Sequence, residues 1–317
     1  MKTRKLGNTD MEITPVGLGA WAIGGRGEWG WGPQDDQDSI ATIRHAIDSG
    51  INWIDTAPAY GLGHSEQVIG QALKGIPDKP YLFTKCSLVW DEQGTVTNNL
   101  KAASLRREVE DSLRRLQIDV IDLYQIHWPI PDEDIEEGWR TLVDLKNEGK
   151  VRHIAVSNFS VSQMERAKKI APISSNQLPY SAVRPEIRDE ILPFCEANNI
   201  GVLAYSPMQA GLLSGKMSKE RIANLPEGDW RPKSDQFQEP RLSRNLALQA
   251  LMTEIAQEQG RTTPEVAVAW VLANSAVTGA IVGARRPAQV DGFIGAGEFR
   301  LDGAALGRIN TFIRENP

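Results

Sequence analysis

Four residues with acid–base chemistry fall at or just beyond the ends of short apolar runs. Asp55 closes INWID (51–55), Lys85 closes YLFTK (81–85), His127 closes VIDLYQIH (120–127), and Tyr60 follows Asp55 by five residues in the turn APAYGLG. A free tyrosine phenol titrates near pKa ~10; a neighbouring ammonium stabilises the phenolate, and a carboxylate can hold that ammonium in place. Brought into one pocket, the four would make Tyr60 a proton donor near neutral pH. Singly, each has a plainer reading: a turn acid, a snorkelling strand-end lysine, a core histidine and a turn aromatic. Their joint occurrence at successive run ends is what packing alone does not explain.

The elements that must position them alternate along the chain. Further runs bounded by turn residues are VGLGA (16–20), VRHIAVS (151–157), ISSNQ (173–177), GVLAYS (201–206) and GAIVG (279–283), and each reads as a buried strand. Segments with helical spacing lie between the runs: 38–49, 65–73, 105–116, 135–146, 161–168, 187–197, 246–259 and 264–274. Eight strands alternating with helices predict an α/β fold, a closed (β/α)8 TIM barrel. An N-terminal β-hairpin (KTRKL, turn GNT, then MEI) should precede it, and a long loop after strand 7 should run from Pro207 to about Ser243. No linker divides the chain, so residues 1–317 are expected to form a single domain.

In a TIM barrel the active site sits at the C-terminal ends of the strands, and neighbouring strands lie about 4.8 Å apart. The remaining strand ends are also polar: Ser157-Asn158, Asn176-Gln177, Tyr205-Ser206, and an eighth opening into Gly283-Ala284-Arg285-Arg286. Trp21, Trp90 and Trp128 neighbour strand ends and are expected to wall a pocket, whereas Trp53, Trp139 and Trp270 should be core. Trp29 and Trp31, in the first strand-to-helix loop, fit either a lid or an exposed surface.

Composition narrows the partners. The 317 residues are 41% hydrophobic and 24% charged, with a formal net charge of -6, which excludes collagen, coiled coil and disorder as whole-chain descriptions. The acidic balance also argues against non-specific nucleic-acid binding, so an anionic ligand needs a local basic cluster. Cys86 and Cys195 each sit in an apolar segment and read as reduced core thiols. The start MKTRKLGNTDMEI has no apolar stretch behind its basic residues, and no run approaches the ~18 residues of a membrane span. A cytoplasmic protein with no membrane and no nucleic-acid partner is expected. His45, His64, His127 and His153 lack zinc-like spacing, so no metal is expected, and no Gly-x-Gly-x-x-Gly follows the first strand.

The segments INWIDTAPAYGLGHSEQVIGQAL (51–73), TK (84–85), LYQIHWP (123–129), GKVRHIAVSNF (149–159), NQ (176–177), YSPMQAGLLSGK (205–216) and GARRPAQV (283–290) occur in an order and spacing that resembles the aldo-keto reductases. The resemblance covers almost the whole chain and is closest to the bacterial and potassium-channel-β-subunit-like branches. It implies Tyr60 as general acid, Lys85 and Asp55 tuning it, and His127 orienting a carbonyl. It also implies a cofactor site, NADPH/NADP+ in preference to NADH. Ser157, Asn158 and Gln177 would fix the nicotinamide carboxamide, with Tyr205 stacked on the ring and Gly19, Ala20, Trp21 and Asp55 beside it. Ser206, Pro207, Gln209, Gly211, Leu212, Ser214 and Lys216 would wrap the pyrophosphate, and Gly283, Arg285, Arg286 and Gln289 would hold the adenosine end. Related chains often carry an acidic residue and an Asn soon after that Gln; here the chain runs Asp291-Gly292-Phe293. The substrate pocket implied is Trp21, Tyr60, Trp90, His127 and Trp128. The implied activity is reduction of aldehydes or activated ketones by direct hydride transfer; the same residues also suit polyol or sugar oxidation, or a cofactor-bound regulatory role. The partner expected is thus a small-molecule carbonyl, with oligomeric state open.

Overall fold

The structure is a computed structural model that describes residues 1–25 and 31–317. A hairpin of β1 (Arg4–Lys5) and β2 (Glu12–Ile13) comes first. Eight parallel strands then close into a barrel in chain order: β3 (Val16–Gly19), β4 (Trp53–Asp55), β5 (Tyr81–Cys86), β8 (Ile121–Ile126), β9 (Val151–Ser157), β10 (Ser175–Pro179), β11 (Gly201–Tyr205) and β12 (Val277–Gly283). The ring is the predicted (β/α)8 TIM barrel. Helices α1 (Asp36–Asp48), α2 (His64–Ala72), α3 (Ala102–Leu116), α4 (Ile135–Asn147), α5 (Val161–Lys168) and α6 (Ile191–Ala197) follow successive strands. Beyond β11 come α7 (Lys219–Ala223), α8 (Arg241–Glu258) and α9 (Thr263–Leu272), and after β12 come α10 (Pro287–Asp291) and α11 (Gly303–Glu315).

Strand residues alternate between two environments, as a pleated strand requires. Outward-facing apolar side chains pack on the helices, while Trp53, Phe83, Leu123, Ala155, Leu203 and Ile281 fill the barrel interior together with Leu6, Met11 and Ile13 of the hairpin. Trp53 spans the interior because Gly17 and Gly279 leave room: a Cβ on either would stand 2.1 or 2.8 Å from its ring. Trp53, Trp139 and Trp270 are all buried, as expected of core residues. Cys86 and Cys195 are buried and free.

Several elements depart from the sequence reading: α3 and α8 start at Ala102 and Arg241, ahead of the helices expected over 105–116 and 246–259. The helix expected over 187–197 starts only at Ile191, preceded by a 3-10 turn at Glu186–Arg188; Pro193 is tolerated only in a first turn, which fixes the start close before it. An extra hairpin of β6 (Leu88–Trp90) and β7 (Val96–Asn98) grows from the end of β5. Its turn is set by the Asp91 carboxylate, which accepts from the Gln93 and Thr95 amides, and by Gly94 at φ +81°.

The long loop after β11 has a core of its own, in which Leu212, Met217, Phe237 and Leu242 are buried together. Among the described residues, no helix is long and apolar enough to cross a membrane.

Candidate active site

Two residues beyond five of the interior apolar side chains, the same face of the barrel turns polar, Ile281 being followed instead by Gly283. Trp53 is succeeded by Asp55, Phe83 by Lys85, Leu123 by Gln125, Ala155 by Ser157 and Leu203 by Tyr205; Gln177 completes this layer from β10. The layer steps by two residues at some strand pairs (Asp55 opposite Phe83, Gln125 opposite Ala155) and runs level at others (Lys85 with Gln125, Ser157 with Gln177). That stagger is what closing tilted strands into a barrel demands.

At its centre Lys85, wholly buried, donates to Asp55 Oδ1 at 2.6 Å and to the Thr56 carbonyl at 2.9 Å. Its third direction faces Tyr60, with Nζ 3.4 Å from the phenol oxygen and 5.2 Å from the ring centroid. The turn carrying Tyr60 is closed by the Gly63 amide donating to the Pro58 carbonyl. Gly61 lies at φ +62°, where a Cβ would strike the Gly24 carbonyl at 1.9 Å, so glycine there lets the 3-10 helix Trp21–Gly24 pack on the tyrosine turn. The His127 ring meets Tyr60 edge to face at 5.9 Å, and Trp128 lies nearly parallel to His127 at 6.3 Å.

The electrostatics differ from the expectation in one respect. Burial pushes the Tyr60 phenol above its ordinary value; Lys85 pulls it down, and Asp55 pushes it up again. The free site therefore keeps Tyr60 protonated. Burial disfavours the Lys85 ammonium, but Asp55 and Tyr60 more than offset this and its pKa is raised. Burial, reinforced by Lys85, holds His127 well below the usual imidazole range, so it is neutral.

Gln177 and Ser157 are joined to the barrel mouth by their own hydrogen bonds. The Gln177 amide donates to Asp55 Oδ2 at 2.7 Å and to Gln125 Oε1 at 3.2 Å, and Ser157 Oγ donates to the Gln177 main-chain carbonyl at 3.0 Å. Asn158, at φ +63°, donates to the His127 carbonyl and to Ser157 Oγ, and accepts from the Tyr205 hydroxyl at 3.0 Å. Asn176 points out of the barrel to the Phe159 carbonyl. Gln125, which the sequence reading passed over, donates to Asp55 Oδ2 at 3.1 Å. Its signal was its spacing, two residues before His127 on the inward face.

The rim beside Tyr205 brings together glycine-ended strands, a loop at positive φ and two arginines. The paired ends of β12 and β3, Gly283 and Gly19, present no side chain, and Ala20 follows, buried. On one side the loop 206–211 holds Ser206, Gln209, Ala210 and Gly211 at positive φ, a conformation that costs non-glycine residues free energy and clusters at ligand sites. Pro207 and Gln209 are buried, and Ser214 Oγ donates to the Gly211 carbonyl. The Leu212 side chain lies in the loop's own core, so only its backbone is available, while Lys216 is exposed. On the other side are Arg285 and Arg286, whose amides both donate to the Gln289 side chain. The Arg285 guanidinium is engaged with Gln34 Oε1 at 2.6 Å and with the Pro33 carbonyl; Arg286 stands 3.9 Å from Asp38. Asp291 pairs with His45 and Phe293 is buried.

Trp21 packs with Trp31 (5.1 Å) and Trp230 (5.9 Å), and the buried Arg231 lies over the Trp31 ring. The first loop and the long loop thus meet over Trp21. Trp29 lies outside the described residues. Trp90 is engaged by the Arg115 guanidinium from α3, 5.8 Å from its ring. Among the described residues there is no group of side chains that could hold a metal ion.

A closed parallel barrel whose C-terminal mouth carries an Asp–Lys–Tyr set beside a histidine defines a class of oxidoreductase. The chain belongs to the aldo/keto reductase family, whose profile matches residues 15–314. It is 38% identical over 316 residues to the aldo-keto reductase YhdN of Bacillus subtilis (strain 168), covering 99% of this chain and 94% of the relative. It is 36% identical to the NADH-specific methylglyoxal reductase of Escherichia coli (strain K12), covering 92% and 91%. The glycerol dehydrogenase AKR11B4 from Gluconobacter oxydans superimposes with a TM-score of 0.91 at 39% identity, over 100% of this chain and 97% of that one.

Proposed function

We propose that the protein is an NADPH-dependent reductase of aldehydes or activated ketones, with Tyr60 as the general acid. The observation that carries this reading is the position of Lys85 Nζ, 2.6 Å from Asp55 and 3.4 Å from the Tyr60 oxygen. When bound, the reduced nicotinamide supplies the hydride. The chain's own residues handle the proton and the geometry. Tyr60 holds a proton at its phenol oxygen, burial keeps it there, and Lys85 favours the phenolate left when that proton moves to a substrate oxygen. Neutral His127, beside Tyr60, is placed to donate a hydrogen bond to the same oxygen and so orient the carbonyl. Tyr205, Ser157 and Asn158 would hold the nicotinamide end and the loop 206–216 the pyrophosphate. Arg285 and Arg286 favour a ligand with a terminal phosphate, because guanidinium pairs well with a phosphate dianion.

The second reading is oxidation of a small polyol through the same residues run in reverse, favoured by the likeness to a glycerol dehydrogenase. The NADH-specific relative makes cofactor choice the first point to test. The experiment follows loss of NADPH or NADH with methylglyoxal and a nitrobenzaldehyde, and gain of either with glycerol, for wild type and Tyr60→Phe. The proposal expects NADPH-linked reduction that falls by about 10²–10⁴-fold in the variant, with cofactor binding retained. Turnover unchanged in Tyr60→Phe would overturn it.

A further inference from the structure

Two buried glutamates stand behind the strand that carries Lys85. Glu66 of α2 accepts from Thr84 Oγ1 at 2.6 Å and from Arg115 at 2.6 Å, an ordinary structural ion pair. Glu108 of α3 is different, because its partner is a backbone group at a strained position. Its Oε2 accepts from the Ser87 amide at 2.8 Å and its Oε1 from Ser104 Oγ at 2.9 Å. Ser87, the first residue beyond β5, lies at φ +77°, where a side chain costs free energy and the backbone needs an anchor.

What that anchor holds is the peptide after β8. The His127 amide donates to the Cys86 carbonyl at 3.1 Å, and Ser87 Oγ sits 3.4 Å from both the amide nitrogen and the carbonyl oxygen of Trp128. From the other side Asn158 donates to the His127 carbonyl at 3.1 Å. We infer that Glu108 is a positioning residue for His127, acting through the left-handed Ser87, whose hydroxyl sets the Trp128 peptide and with it the histidine ring. Packing alone would be served by a leucine-sized apolar group at 108. Instead a carboxyl is held there although burial pushes it up to about 7, with Arg107 and Arg115 on its own helix, Cys86 on β5 and Tyr124 on β8 as its titratable or charged surroundings.

The inference rests on the proposed role of His127 in orienting a carbonyl, and its test separates the two. Ser87→Gly keeps the amide that Glu108 binds, relieves the positive φ, and deletes the CH2OH side chain with its hydroxyl. Hydrogen exchange of the Trp128 amide should accelerate, the melting temperature and NADPH affinity should hold, and kcat should fall roughly 3- to 10-fold, the scale of one net hydrogen bond. Glu108→Leu should lower kcat at least as far, and Glu108→Gln, which restores an acceptor for the Ser87 amide, should recover it. Wild-type Trp128 exchange in Ser87→Gly overturns the inference, as does faster exchange with wild-type kcat. If the wild type reduces no carbonyl, the proposed function fails by itself, and Trp128 exchange in Ser87→Gly still decides whether the anchor exists.

Discussion

Gln177 and Asp55 stand on opposite walls of the barrel and are joined by a 2.7 Å hydrogen bond across its mouth. With Gln125 at 3.1 Å, Gln177 caps the carboxylate oxygen that Lys85 does not reach. A buried carboxylate that loses one donor keeps its desolvation cost, so Gln177→Ala should destabilise the protein without cofactor by about 1–3 kcal/mol. Denaturant unfolding of the free protein checks this. An unchanged midpoint would mean that Gln177 serves only a bound cofactor, as the sequence resemblance implied.

Lys85→Met tests how Tyr60 is tuned. The proposed reduction requires the protonated phenol, so its rate should be lost as pH rises through the Tyr60 pKa. Burial raises that pKa and Lys85 lowers it, so removing the ammonium should move the alkaline limb of the kcat/KM profile to higher pH while lowering its plateau. Breaking a buried pair also leaves Asp55 uncompensated, at a cost of about 3–5 kcal/mol. A limb that stays in place would show that Lys85 does not contact the acid in the working enzyme.

How much of this was legible in the residues follows from the apolar runs. Short apolar runs bounded by turn residues placed all eight barrel strands, and the strand-end rule brought Asp55, Lys85 and His127 to one rim, where the structure has them. Gln125 was passed over because attention to the last residue of a run favoured His127, although the inward face returns two residues earlier. The β6–β7 hairpin carries a readable turn in DEQG but is too short for a periodic pattern to stand out. The meeting of Trp21, Trp31 and Trp230 depends on two loops far apart in sequence, and no local spacing encodes that contact. Likewise the sign of the Tyr60 shift depends on how deeply the rim buries it.

Arg285 is the residue on which the proposed preference for NADPH is tested. In the structure its guanidinium binds Gln34 and Pro33 and is lowered in pKa by burial, Arg286 and Arg231, which marks a local concentration of positive charge. If that charge meets a terminal phosphate, Arg285→Ala should weaken NADPH binding by about 10- to 100-fold, the scale of a charge-assisted hydrogen bond, and leave NADH within about 2-fold. Fluorescence titration with both nucleotides makes the comparison. Equal losses would assign Arg285 to fastening the first loop instead.

Glu108 gives a prediction about stability rather than rate. Its carboxyl is raised to about 7, with burial the largest cause, so the native state binds a proton that the unfolded state, near pKa ~4.3, has already released. The stabilisation from that proton is complete below the unfolded pKa and is lost as pH rises through about 7. Across that window the loss is of the order of 3 kcal/mol. Glutamine at 108 carries no charge at any pH and keeps an acceptor for the Ser87 amide. Glu108→Gln should therefore gain on the wild type in melting temperature progressively from pH ~4 toward pH ~8. Parallel melting curves across that range would mean that the bonds donated by Ser87 and Ser104, with Arg107 and Arg115, offset the cost of burying the carboxyl, and that its pKa is not raised.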